Sequence, residues 1–399
     1  MRRRRPGAGR ALRGAGLTEA ERYLELGLRL GRHVGGLVDA YYGPRELQEQ
    51  VDAEQIVDAW LLADDADALA AELSDGWLRD QVRACATYAR VLAGESIPYA
   101  DEVEACYGVR PERTPVSVYE AVHAELDELL PGDGSLFERR QAWRDAHLVD
   151  GEHAVTVMSE LLPILRQRTA AIVELPAGER TSLEAVHGEP WWAFNYYQGR
   201  LESRVEMNVD IPTTGLDLIH VTAHEIYPGH HTEHAVKEQR LLRDEGRLEE
   251  GIQLVPTPQA LLSEGIAELG VELVADAETR AALYRVLERH GIRSDPDLDE
   301  QIVKAIDKLG TTSVDIALMI HEDGLSPEEA ERYLERWRLA TPEESVHGVR
   351  FVTDPTWRGY TITYSAGERV CRDFVGGDTG RFRRLLTEHV RVGELVAAG

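Results

Sequence analysis

Cysteine is scarce in this 399-residue chain. Cys85, Cys106 and Cys371 are too few and too scattered for a disulfide framework or for a zinc site built on thiolates. A single bridge stays open, and a reducing cytoplasm is the expected setting. Long hydrophobic runs are missing as well: no stretch approaches the roughly 20 apolar residues of a membrane span, so no membrane partner is expected. Internal repeats, low-complexity tracts and long Pro/Gly linkers are also lacking. Positive charge is in deficit, with 44 Lys and Arg against 71 Asp and Glu for a net charge of −27. Six arginines fall in the first thirteen residues, so the remaining chain sets 38 basic residues against 71 acidic ones. A body so acidic repels phosphate backbones and anionic membrane surfaces, which excludes nucleic acid as an expected partner. The Arg-rich start has no apolar core behind it and fails as an export signal. Residues 1–17 are expected to be a disordered basic leader.

What the chain does have is helical periodicity. The apolar fraction of 43% with 29% charged residues is that of an ordinary globular protein. A capping box at Thr18-Glu19-Ala20-Glu21 opens a segment with Leu24, Leu28, Leu30 and Val34 at roughly helical spacing, and Gly35-Gly36 is expected to kink it before Tyr41-Tyr42-Gly43-Pro44 ends it. Further helices are expected at about 54–73, 77–94, 116–130, 135–148 and 150–173. Ser326-Pro327-Glu328-Glu329 combines an N-cap, a proline at the first helical position and first-turn acids, and opens a helix to about residue 338. One segment alternates: in 204–210, Val205, Met207 and Val209 are apolar at every second place, which predicts a strand with one buried face. The expected fold class is mainly α, with this short strand lining a cleft. The expected organisation is an N-terminal helical lobe over 18–180 and a catalytic helical lobe over 181–399, or one continuous domain.

Five of the fourteen histidines lie between residues 220 and 234, an enrichment of about tenfold. Imidazoles crowded beside carboxylates are what a transition-metal site requires. The HExxH pattern is absent, because Pro228 stands where its second histidine would fall. His220 and His224 have the four-residue spacing that brings two imidazoles to one ion. His224 and His230 would diverge by about 120° on an unbroken helix. Pro228 and Gly229 should break that helix, however, and such a kink could carry His230 back toward His224. Both pairings stay open at this point, with His231 and His234 as lesser candidates. Two histidines usually need a third protein ligand, and Glu264 and Glu268 share one face of an apolar helical run downstream. One is expected to be the ligand and the other a partner that orients a histidine. Such a donor set suits a single Zn²⁺, with Mn²⁺ or Co²⁺ as alternatives.

The string His224-Glu225-Ile226-Tyr227-Pro228-Gly229-His230-His231 resembles the HExxPGHH signature of the bacterial family called domain of unknown function 885, regarded as zincin-like. Glu264-Gly265-Ile266-Ala267-Glu268-Leu269 resembles that family's EGWALY-type string, with the Trp, Leu and Tyr replaced. Asp315 to His321 followed by Ser326 to Leu334, and Tyr364-Ser365-Ala366-Gly367, resemble two later blocks. The resemblance covers roughly residues 190 to 375. It implies a large helical zincin-like metallopeptidase fold, His224, His230 and Glu264 as metal ligands, and Glu225 as the catalytic carboxylate.

The expected function is therefore that of a zinc-dependent hydrolase, a peptidase or amidase with Glu225 as general base toward a peptide or small amide substrate. Tyr364 is the expected oxyanion donor, with Tyr360 and His321 as alternates. The strand at 204–210 is expected to pair with an extended substrate. The alternatives are a non-catalytic divalent-metal-binding protein, or a metal-dependent hydrolase or lyase acting on non-peptide small molecules.

Overall fold

The Thr18 hydroxyl accepts a hydrogen bond from the Glu21 N–H, and the Glu21 carboxylate accepts one from the Thr18 N–H at 2.7 Å, so the capping box forms and opens the helix Glu19–Gly31. In the computed structural model residues 16–398 are described, and the expected leader falls outside them except for its last two residues. The chain is mainly helical. The expected helices occur as Ala59–Glu72, Trp77–Leu92, Val116–Leu129, Leu136–Ala146 and Gly151–Ile172, and Ser326 caps Pro327–Trp337. Two nine-residue helices, Arg45–Ala53 and Tyr99–Tyr107, escape the periodicity reading because they are too short to show it; each starts directly after a proline.

The strands depart further from expectation. After Gly31 the chain does not continue as a kinked helix but forms β1 (Val38–Tyr41). It is followed by β2 (Leu148–Val149), β3 (Arg180–Val186), β4 (Ala193–Tyr197), β5 (Glu202–Asn208), β6 (Thr213–Thr214) and β7 (Ile252–Leu254). β1 pairs with β7 and β2 with β6, while β3, β5 and β4 form a sheet in that order, β3 parallel and β4 antiparallel to β5. The strand expected at 204–210 is thus β5, and it occupies the centre of its sheet. Both of its edges are taken, so no extended substrate can add to it, which corrects that expectation; β4 and β3 are the edge strands. From Val205 to Asn208 every residue is buried, so the single buried face is also not found.

The buried core joins the two halves of the sequence. Its largest cluster combines Tyr23, Leu62, Val82 and Tyr107 from the first half with Leu261, Ile316, Ile362 and Phe382 from the second. A second cluster sets Val157 and Leu161 against Val205, Leu218 and Leu287, and a third sets Tyr119 and Leu126 against Ile302 and Leu309. Each therefore draws on both sides of residue 180. Cys85, Cys106 and Cys371 are free and buried, so the bridge left open by the sequence is not formed. No helix of the described residues is long and apolar enough to cross a membrane.

Candidate functional site

Thr214 caps the helix Gly215–Glu225, and this helix stops one residue after His224. Pro228 has no N–H to continue it, and the Tyr227–Pro228 peptide is cis. The helix His230–Lys237 then starts in a new direction. Backbone groups at the break are still satisfied: Gly229 N–H donates to Ala223 O at 2.9 Å, and Thr232 N–H and hydroxyl both reach Ile226 O. Gly229 is obligatory, since a Cβ there would lie 1.7 Å from the His224 carbonyl oxygen. The expected kink is in fact a complete elbow.

Glu179 clamps the elbow on both sides. Its buried carboxylate accepts from Tyr227 Oη at 2.6 Å, His231 Nε2 at 2.8 Å and Arg166 Nη2 at 2.6 Å. Burial alone would push this acid up, but the three donors overcome burial and hold it down at about 2. A folded-state value below the unfolded one stabilises fully above pH 4.5 and is lost as pH falls toward 2. We expect Glu179→Gln to lower unfolding free energy at pH 7 by about 3 kcal/mol, with the difference from native shrinking below pH 4. Urea titrations at pH 7 and pH 3 check this; equal losses at the two values contradict it.

The elbow folds His230 onto His224, their Nε2 atoms 3.2 Å apart and their rings perpendicular. Glu264, on the helix Pro258–Val274, completes the group: its Oε2 lies 3.5 Å from His224 Nε2 and its Oε1 3.4 Å from His230 Nε2. Bonds of about 2.0–2.1 Å from a tetrahedral zinc place neighbouring donors about 3.3–3.4 Å apart, so the three separations match. Glu264 Oε2, though buried, has no hydrogen-bond partner among the described residues. A carboxylate oxygen left bare between two imidazoles calls for a cation. Burial opposes charge on His230, but Glu264, Glu225 and Glu233 outweigh it and raise His230 to about 10, while Glu264 is pushed far down by the two imidazoles despite its burial.

A second donor set shares one member. His220 Nε2 lies 3.6 Å from Glu268 Oε2, and His224 Nδ1 faces Glu268 Oε1 at 3.5 Å. Glu268 thus meets the far nitrogen of His224, the place of an orienting partner. His230 has its own support. The Ser263 hydroxyl donates to Glu233 Oε2 at 2.6 Å and so accepts from His230 Nδ1 at 3.2 Å, which leaves the Nε2 lone pair free. Lys237 Nζ donates to the other Glu233 oxygen at 2.6 Å. Ser263, Glu233 and Lys237 went unread in the sequence, although Glu233 and Lys237 have the i,i+4 spacing of a helical ion pair.

Glu225 follows His224 and is buried; burial raises its pKa against the charges of His224 and His230. Its backbone carbonyl is held by Asn195 Nδ2 of β4 at 2.5 Å, so β4, and not β5, is the strand at the site. The two tyrosines differ in their partners. Tyr360 Oη donates to Glu264 Oε1 at 2.5 Å and positions that carboxylate, while Tyr364, 38% exposed, makes no side-chain hydrogen bond among the described residues. Its ring meets that of Tyr360 edge to face at 5.7 Å, and burial, aided by charge on Glu264, Glu268 and Glu225, raises its pKa well above the usual value. His321 lies elsewhere: its Nε2 donates to Val352 O at 2.7 Å and its ring stacks on Tyr99, which removes it as an alternate. His231 binds Ser203 and Glu179 and also turns away, and His234 is buried, which pushes it down to about 4.

The helix Thr361–Val375 carries Tyr364 past Glu264 at a crossing of glycines. A Cβ on Gly265 would lie 2.2 Å from the Gly367 carbonyl, and one on Gly367 would lie 2.3 Å from the Leu261 carbonyl. Backbone meets backbone there.

No protein-family model matches the chain, and no curated protein matches it by sequence. Among the solved structures that match it are two. One is described as "the putative lipoprotein from Colwellia psychrerythraea", with a TM-score of 0.52 at 15% identity, over 85% of this chain and 66% of that one. The other, "a putative lipoprotein of unknown function from Shewanella oneidensis", has a TM-score of 0.49 at 13% identity, over 88% of this chain and 69% of that one. The chain thus spans just under two thirds of the first structure's length. At 15% identity the likeness to the first is one of fold.

Proposed function

We propose that the protein is a zinc-dependent hydrolase that cleaves a peptide or related amide bond. The observation that supports this most is the group of His224, His230 and Glu264, with donor separations of 3.2, 3.4 and 3.5 Å and an unpartnered Glu264 oxygen. These three residues would hold the metal. A zinc ion held there would supply a water of lowered pKa, about 7, and Lewis-acid polarisation of the substrate carbonyl. Glu225, its own pKa raised by burial, takes a proton from the attacking water and delivers it to the leaving amine. Tyr364 offers the hydroxyl that receives the developing oxyanion, because Tyr360 is committed to Glu264. The edge strand β4, tied to Glu225 through Asn195, replaces β5 as the element along which an extended substrate lies.

This reading extends the resemblance to the domain of unknown function 885 family, and with it a zincin-like fold, to the whole site. It includes a reducing, cytoplasmic setting for the three unpaired thiols. The test is hydrolysis of a mixed peptide library by chelator-treated protein before and after one equivalent of zinc. The expected result is activity restored by zinc, with products heavier by one water in total. Zinc uptake without turnover favours a storage or sensing protein, and products lacking added water favour a lyase.

A further inference from the structure

The helix Gly215–Glu225 carries His220 and His224 one turn apart, with their ring centres 5.7 Å from each other. Four-residue spacing on a helix is the arrangement that lets two imidazoles share an ion. Facing them is Glu268, one turn beyond Glu264 on the helix Pro258–Val274. Its Oε2 lies 3.6 Å from His220 Nε2 and its Oε1 lies 3.5 Å from His224 Nδ1. One ligand atom from each of the three residues lies within 4.8 Å of the other two.

A carboxylate that orients a metal-bound imidazole accepts its far N–H at about 2.7–3.0 Å. Glu268 stands farther off, and His224 Nδ1, though buried, has no hydrogen-bond partner among the described residues. The separations of 3.5 and 3.6 Å are close to the roughly 3.3–3.4 Å between neighbouring donors on one zinc. An ion held by His224 Nε2, His230 and Glu264 leaves Nδ1 as it was. His220 and Glu268 are both partly exposed, so this second group opens to solvent.

We infer that His220, His224 and Glu268 bind a second divalent cation, with the ring of His224 as a bridge to the ion at His230 and Glu264. A neutral imidazole offers one lone pair and one N–H. The first ion takes the lone pair at Nε2. The second takes the pair left at Nδ1 when its proton departs to water, so the ring becomes an imidazolate with ions about 6 Å apart at its two nitrogens. Each group supplies two imidazoles and a carboxylate, a set that suits Zn²⁺. The second ion binds more weakly, because it has to expel a proton from a neutral ring. The inference rests on the first ion for the bridge, and on nothing in the hydrolytic reaction.

The test is zinc content of the untagged, chelator-treated full chain after equilibration against rising free zinc, for native protein, His220→Ala and His230→Ala. Native protein is expected to take up two ions in separate steps, and each variant is expected to take up one fewer. Copper then examines the bridge. Two Cu²⁺ ions across one imidazolate are exchange-coupled, so the electron paramagnetic resonance signal of the first equivalent is expected to fall as the second enters, and to persist in His220→Ala. A native chain that saturates at one zinc overturns the inference, as does a content that His220→Ala leaves unchanged, or two coppers that remain uncoupled. The native measurements decide even where a variant fails to fold. An ion lost in His230→Ala but not in His220→Ala leaves the first site standing alone; the reverse pattern counts against the metal of the proposed hydrolase and leaves His220 as a ligand.

Discussion

Glu225→Gln is expected to retain one zinc per chain and to lose about 10³-fold in kcat, the scale on which a general base contributes. Glutamine keeps the size of the side chain and the Asn195 hydrogen bond, which is made to the backbone, so the elbow and the two imidazoles stay in place. Only the proton acceptor is lost. The fall belongs in kcat rather than KM, because proton transfer is demanded in the transition state and not in binding. Steady-state kinetics with metal analysis on the same preparation checks both halves. Full turnover in this variant ends the proposed mechanism; loss of zinc makes Glu225 a structural acid.

Glu264→Gln is expected to remove more than the roughly 100-fold in zinc affinity that a supporting hydrogen bond is worth, since it deletes a ligand charge. The same substitution changes the pH dependence. In the ion-free native protein His230 titrates near 10, raised by acids that overcome its burial, so at pH 7 it carries a proton that an incoming ion must expel. Native zinc affinity is therefore expected to rise about tenfold per pH unit for that one proton through the neutral range. With Glu264 neutralised, the strongest charge raising His230 disappears, and the slope flattens along with the affinity. Competition against a chelator from pH 6 to 8 measures both; a flat native affinity refutes the account.

Much of the helical architecture was legible because caps and periodicity are local. Thr18 and Ser326 announce their helices, and the long amphipathic segments appear within a few residues of where spacing places them. The sheet was not legible. β3 and β4 carry no clean alternation, and β5 has both faces covered, which only the tertiary fold decides. At the site, the meeting of His224, His230 and Glu264 could be anticipated, since Pro228-Gly229 forbids a continuous helix and Glu264 is a carboxylate in an apolar run. What escaped is what arrives from far away in sequence. Asn195 and Glu179 lie 29 or more residues before His224, in segments whose local pattern says nothing of a metal. Tyr364 was preferred to Tyr360 from the sequence, but the hydrogen bond that Tyr360 donates to Glu264 was not legible there.

The glycine crossing of the Glu264 and Tyr364 helices has a wider consequence. With no side chain between them, their spacing is fixed by peptide planes, so this wall of the cleft has almost no freedom to yield. Any accommodation to ligands of different shape falls to the side of the short edge strand β4. The molecule thereby divides its labour as a vice does, with one jaw fixed to hold the chemistry in register and the other free to take up the work-piece.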